Sequence, residues 1–376
     1  MSACDQCLRR AWLLGRVAGY VERARRAQVR LRDILALEDE GLIAAVGAGD
    51  AATVKREWAR FQPQVMREQA GAASLVSVCP HDGAGYPARL RGEAGAPRAL
   101  FAAGPRARLA ELLGDSAAAP PAVAIVGARR ATADGLEVAR GLGRGLAAAG
   151  VTVVSGMALG VDSAAHAGAL EVGGPTVAVL ASGANVPYPA SKRHIHRALV
   201  ERQSAISEMP PGFRPHRWNF PARNRTIAGI AEITVVVEAA QRSGSLITAD
   251  FATQMGRDVA AVPGCVLAAQ SGGTNALLRD GAILVRDTQD VLDALFDAGC
   301  VTSRPSARAS TAAAVVEALE PRLRDLLEEV ETGSDSLEAL TQAPGGVQGA
   351  MAGLAELEML GVLRRVPGGR YQRTAT

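Results

Sequence analysis

The sequence predicts an α/β fold built on a doubly wound, mostly parallel sheet, with a small helical domain before it and a helix-and-hairpin domain after it. Three observations carry this. Between residues 123 and 285, short apolar runs alternate with helical stretches. Residues 1 to about 70 are Arg-rich and helical in pattern, with few strand signals. Beyond a Ser/Ala/Arg/Pro stretch at 301–312, helix-spaced leucines precede two strand-like segments flanking Pro367-Gly368-Gly369.

The elements follow in order. Residues 31–49 carry helix-spaced leucines and end in Gly47-Ala48-Gly49. Residues 76–110 hold a turn at His81-Asp82-Gly83, then Tyr86-Pro87 and Ala99-Leu100-Phe101, and read as an extended lead-in. Pro120-Pro121 marks a boundary. The apolar runs at 123–126, 151–154, 176–180, 205–207, 233–237, 259–262 and 283–285 read as buried parallel strands covered by helices on both faces. Their alternation with helices is the doubly wound, Rossmann-like pattern. In the tail, Leu319, Leu323, Leu326, Leu327 and Val330 share one helix face. Two more helices at 336–341 and 347–360, and a hairpin from 362–366 and 370–373, complete a winged-helix pattern. The expected organisation is a helical domain at 1–75, a core at 76–298, a linker at 299–312 and a winged-helix domain at 313–376.

Of 376 residues, 48% are hydrophobic, enough for a well-buried core. Net charge is only +3, so charge alone says little about nucleic acid. Lysine occurs only at Lys55 and Lys192, and every other basic side chain is arginine. That bias fits a GC-rich genome, so only placed arginines bear on function. The cysteines at 4, 7, 79, 265 and 300 are not a disulfide framework. Cys4, Cys7, Cys79 and His81 are zinc-type donors, but far more widely spaced than a compact finger; the sequence leaves a metal site and reduced buried thiols both open. No cofactor is expected. Asp5, Arg9, Arg10 and Arg16 break up any signal peptide, and the uncharged stretches 172–191 and 259–278 contain Gly and Pro. A cytoplasmic protein without membrane spans is the expectation.

Four motifs carry chemistry. The first strand ends in Gly127-Ala128-Arg129, where a glycine admits a ligand, a helix N-terminus offers N–H groups and Arg129 can reach the same anion. The second ends in Ser155-Gly156 with Gly160 close behind, a further backbone cradle, and Asp162 is placed to cap the helix bearing His166. No acidic residue closes this strand, which argues against dinucleotide binding. Ser, Asp and His cluster here without a nucleophile elbow, so capping and helix docking explain them better than a catalytic triad. The third motif is the run from Arg214 to Arg225, with Arg217, Trp218, Phe220, Arg223, Asn224 and Arg225. Arginines neutralise phosphates and aromatic rings stack on unpaired bases, so it reads as a single-strand-binding loop. The alternative packs its aromatics inward and pairs its arginines with Glu208 or Glu232. The fourth is Ser243-Gly244-Ser245 before a helix. In an open parallel sheet these loops share the carboxyl edge of the strands, a rim that suits a polymer better than one small ligand. No G-K-[ST] or metal-type ligand set appears in the core, which argues against a P-loop ATPase or a nuclease.

The motifs Gly127-Ala128-Arg129, the run from Ser155 to Asp162, His166, Tyr188-Pro189, Ser207-Glu208, the run from Phe220 to Arg225, the run from Ser243 to Ala249, Gly256-Arg257, Val262-Pro263-Gly264 and Asn275 with Asp280-Gly281-Ala282 resemble, in order, the DprA/Smf family. The resemblance spans about 80–295. It implies an extended Rossmann-like core that binds single-stranded DNA, a homodimer, and loading of the RecA recombinase onto incoming DNA during natural transformation, with no catalysis. It implies that Arg129 contacts phosphate and that Arg217 is the basic residue near the Phe-Pro motif. Phe220 and the Arg223-Asn224-Arg225 run would line the same pocket, and residues 275–283 would carry the dimer and RecA surface. Ala128 stands where the family usually has serine. The first 70 residues resemble the family's helical, SAM-like domain and the tail its winged helix. There, Arg364, Arg365, Arg370 and Arg373 either touch duplex phosphates or form the solvated hairpin of a protein-docking module. The competing reading is a nucleotide-processing enzyme of the LOG-like Rossmann class, of which Pro263-Gly264-Cys265 and Gly272-Gly273-Thr274 are partial echoes.

Overall fold

A computed structural model describes residues 2–27, 29, 31–81, 85–93, 95–113, 120–296, 320–331, 346–359, 362–366 and 370–373. The chain divides into two compact units, Met1–Cys300 and Val301–Thr376. The expected linker, the helix at 336–341, the turn at 367–369 and the residues after His81 in its turn lie outside the described residues.

The first unit opens with helices α1 (Asp5–Arg16), α2 (Ala18–Arg26), α3 (Leu31–Ala36), α4 (Asp39–Ala45), α5 (Ala48–Arg60) and α6 (Pro63–Ala72). Gly47, at φ +102°, turns the chain between α4 and α5. The lead-in is more regular than expected. It contains two strands, β1 (Leu75–Val78) and β2 (Leu100–Ala103), paired antiparallel. Each has only four residues, too short for alternation to register, and all of them are buried.

Helix α7 (Arg106–Leu113) leads to the parallel core. Its elements are β3 (Ala122–Val126), α8 (Ala133–Ala148), β4 (Thr152–Ser155), α9 (Val161–Glu171), β5 (Thr176–Leu180), α10 (Arg193–Arg202), β6 (Ser204–Ser207), α11 (Asn219–Ile230), β7 (Ile233–Val236), α12 (Leu246–Gln254), β8 (Asp258–Ala261), α13 (Gly272–Arg279), β9 (Ile283–Leu284) and α14 (Thr288–Phe296). The strands lie in the order β1-β2-β6-β5-β4-β3-β7-β8-β9. All pairings from β6 to β9 are parallel, and β2 meets β6 antiparallel. Successive side chains of a strand face opposite ways. Thus Ala122, Ala124 and Val126 join a core with Ile227 and Ile230 of α11, while Val123 and Ile125 join one with Leu142 and Leu146 of α8. Each fully buried Val, Ile or Leu contributes about 1.5–3 kcal/mol.

The order places β3 beside both β4 and β7. Chain order runs outward from β3 in both directions, which makes its carboxyl end the switch point where open α/β sheets bind ligands.

The run expected to be an Arg–aromatic loop is half helix. Residues before 219 are irregular, and α11 begins at Asn219, whose Oδ1 accepts from the His216 amide at 2.8 Å. Pro221 sits in the first turn, where a missing N–H costs nothing.

In the second unit, α15 (Pro321–Glu331), α16 (Gly346–Met359) and the antiparallel hairpin of β10 (Leu363–Val366) and β11 (Arg370–Arg373) are described. Leu323, Leu326, Leu327 and Val330 pack with Leu354, Leu357 and Leu363. Leu319 and the side chains of Arg364, Arg365, Arg370 and Arg373 lie outside what is described.

Candidate nucleic-acid interface

A cleft of about 650 Å³ opens at the switch point, lined by the turns after β3 and β7, by the start of α11, by Ala158 from the turn after β4 and by Asp162 in the first turn of α9. Arg129 and Arg130 are exposed on its wall. The Arg129 guanidinium lies 5.0 Å from the centroid of the Phe220 ring. A cation over an aromatic face at an exposed site gains about 0.5–1 kcal/mol, which favours this arrangement of the two side chains. The ring of Tyr188 sits 5.7 Å from that of Phe220, tilted by 51°. Arg129 and Phe220 also border a smaller pocket with Tyr188. A cation and two rings are thus open to one surface.

The candidate glycines serve the scaffold. A Cβ on Gly127 would come within 2.7 Å of Val161, and one on Gly160, at φ +80°, within 2.2 Å of the Ala128 carbonyl. These two residues let the turns after β3 and β4 lie directly on each other. A Cβ on Gly156 would collide with the Arg223 guanidinium at 1.7 Å. Gly156 therefore makes room for an arginine. Gly244 has nothing within 4 Å of such a Cβ and lines the cleft.

The arginines of the 214–225 run go to different places. Arg223 is buried, its Nη1 donating to the carbonyls of Gly156 and, at 2.8 Å, Val179. Burial pulls its guanidinium down to about 10, against the favourable field of Asp162. It braces the ends of β4 and β5 under the cleft floor. Arg225 is buried against Glu208 at 2.8 Å, and Thr226 donates to the same carboxylate at 2.6 Å. Arg217 is exposed, one residue before the buried Trp218, and lies outside the lining of either cavity. Trp218 is fully buried among the N-terminal helices, its amide donating to Glu22 at 2.9 Å, so its ring is closed to a base. Of the aromatics in this run, Phe220 faces the cleft. Asn224 lines it too, donating to the Gly244 carbonyl at 3.2 Å.

The helix ends differ from expectation. The N-terminus of α8 is already occupied: Thr132 caps it by accepting from Gly135 at 3.0 Å, and the Glu238 carboxylate accepts from the Thr132 amide and hydroxyl. The Glu238 carboxylate there disfavours a second anion at this helix end. Asp162 does not cap α9, whose first flanking residue is Gly160; it accepts from the Ala158 amide at 3.3 Å. Burial raises its carboxyl above the usual range, opposed by Arg223. Ser155 donates to the Ile125 carbonyl at 2.6 Å and is buried beneath the rim. His166 pairs with Thr176 at 2.8 Å. The side chains of Ser155, Asp162 and His166 thus do not bond to one another. Ser243 and Ser245 share a hydroxyl–hydroxyl bond of 2.7 Å at the start of α12, on the cleft wall.

Asn275, at the start of the expected partner surface, is tied to Gly264 by paired bonds of 3.0 and 3.2 Å. Tyr188, Glu238, Ile247 and Gln270 are site residues the motif reading left out of the candidate set. Tyr188 had a signal: it is one of only four tyrosines, beside a proline.

Fold and cleft define a Rossmann-like protein with an arginine–aromatic site at its switch point. The chain belongs to the DNA recombination-mediator protein A family, whose model matches residues 77–296. The DNA processing protein DprA of Mycobacterium tuberculosis is 43% identical over 289 residues, covering 75% of this chain and 72% of its own. The crystal structure of DprA from Streptococcus pneumoniae matches with a TM-score of 0.61 at 31% identity, over 78% of this chain and 98% of its own. The solved structure of DNA processing protein A from Helicobacter pylori, described for its single-stranded DNA binding mode, matches with a TM-score of 0.52 at 26% identity, over 60% of this chain and 96% of its own. No helix among the described residues is long and apolar enough to cross a membrane.

Proposed function

We propose that the switch-point cleft binds single-stranded DNA, with a phosphate against Arg129 and Arg130 and an unpaired base against Phe220 and Tyr188. The observation that carries this is the Arg129–Phe220 stack, which puts a phosphate-binding fork and a base-binding ring 5.0 Å apart in an open groove. Ser243, Gly244, Ser245 and Asn224 add polar groups to the cleft lining. Gly127, Gly156, Gly160, Ser155, Arg223 and Arg225 act from behind by holding these loops in place. Arg217 serves the strand outside the cleft. Membership of a recombination-mediator family and the single-strand binding described for the Helicobacter relative support the reading.

The experiment is binding of single- and double-stranded oligonucleotides across a salt series. Single strands bind more tightly, and affinity falls with salt. Arg129→Ala weakens single-strand binding about tenfold or more and lowers the salt slope by about 0.7, the share of one phosphate contact. Unchanged affinity in Arg129→Ala would sink the assignment. Protection of incoming DNA and loading of RecA by a cytoplasmic homodimer, without catalysis, is the fuller role, and it rests on the family resemblance. A pull-down of RecA, with variants in residues 275–283, tests it. The domain limits at 75, 298 and 312 belong to the same proposal.

A further inference from the structure

We propose that Cys4, Cys7, Cys79 and His81 form a structural zinc site that pins the N-terminal helices to the edge of the sheet. The donors come from two distant stretches. Cys4 immediately precedes α1, Cys7 lies in its first turn, and Cys79 and His81 follow β1. The four ligand atoms nonetheless lie within 4.8 Å of one another. That brings all four within reach of one ion. With Zn–S near 2.3 Å and Zn–N near 2.0–2.1 Å, a sulfur–nitrogen edge is about 3.5 Å and a sulfur–sulfur edge about 3.8 Å. The Nδ1 of His81 is 3.3 Å from Cys4 Sγ and 3.5 Å from Cys7 Sγ.

Hydrogen bonding alone accounts poorly for those two contacts. One imidazole nitrogen offers either a single lone pair or a single proton, yet two sulfurs approach it equally. A central cation satisfies both approaches and the third sulfur together. The backbone at this end of α1 favours negative charge on the sulfurs, whereas burial alone holds Cys7 protonated until a cation offsets it. The Cys4 amide points at Cys79 Sγ at 3.4 Å, and the start of a twelve-residue helix favours negative charge. Cys7 and Cys79 are fully buried, among Leu8, Leu75 and Phe101. Three thiolates and an imidazole fill all four positions of zinc, which marks a closed, structural site rather than a catalytic one. Its mechanical role follows from the topology. β1 is the outermost strand and pairs only with β2 among the described strands, so an anchor at its end ties α1 to the edge of the sheet.

The test uses the full chain, purified under reducing conditions. Elemental analysis should give one zinc per chain. Exchange with cobalt should give the visible bands of a four-coordinate ion and a thiolate charge-transfer band. Cys4→Ser and Cys79→Ser should lose the metal, and His81→Ala, altered at an exposed ring, should surrender it to a chelator that leaves the unaltered chain loaded. Removal of zinc should lower the melting temperature. A freshly reduced chain that takes up neither zinc nor cobalt overturns the proposal, whatever the variants do. So does full zinc content in a Cys4→Ser, His81→Ala double variant, or a Cys4–Cys7 disulfide found by thiol counting.

Discussion

Three arginines within the family-like motifs show how burial assigns the role of a residue. Arg129 is exposed and stacked on Phe220, so its donors face solvent. Arg223 spends its donors on two backbone carbonyls and the Asn224 side chain, and Arg225 is enclosed with Glu208. Breaking a buried ion pair leaves a lone charge away from water and costs about 3–5 kcal/mol. Arg225→Ala should therefore destabilise the fold by about that much in a denaturant melt, while the salt slope of DNA binding in the folded fraction stays as in the unaltered chain. A slope lowered by one phosphate contact, without loss of stability, would return Arg225 to the DNA-contacting set.

At the scale of elements, α9 docks on β5 through His166. The Thr176 hydroxyl donates to the Val153 carbonyl at 2.8 Å, so the His166 Nδ1 must be the protonated nitrogen that donates to Thr176. Burial pushes the imidazole down to about 4, against about 6.5 when unfolded. Between those values the unfolded chain takes up a proton that the folded chain refuses. The contribution is present above pH about 6.5 and is lost as pH falls toward 4, amounting to about 3 kcal/mol. Chemical melts between pH 7 and 4 should show this loss, and His166→Gln should remove that part of the slope. A slope unchanged in His166→Gln would place the acid sensitivity elsewhere.

At the scale of the whole molecule, the cleft belongs entirely to the first unit, and the helix–hairpin unit has its own core around Leu326, Leu327 and Leu354. Units with separate cores fold separately. A chain ending at residue 300 should therefore melt cooperatively and keep its single-strand affinity and salt slope, measured by circular dichroism and gel shift. The N-terminal helices are different. Trp218 and Met209 are buried among Leu13, Val21 and Leu42, so removing the first 75 residues would strip the cover from the start of α11, on which Phe220 stands.

The parallel core was legible because its strands are continuous apolar runs, the signature of burial on both faces; each expected run from 123 to 285 became a strand within a residue or two. Arg129, Phe220 and the serine turn were legible because exposed chemistry at strand ends is written locally, in a glycine, a cation and a ring. Other features were not local. Glu238 reaches the first turn of α8 from the end of β7, and Arg225 meets Glu208 from another element. The same run of residues encodes a cleft-facing ring in Phe220, an internal brace in Arg223 and a domain anchor in Trp218. Sequence alone set the sheet, the switch-point loops and the inventory of cations and rings, because periodicity and turn chemistry act over a few residues. Tertiary structure decided which of those cations reach solvent, since exposure depends on what other elements lay over them.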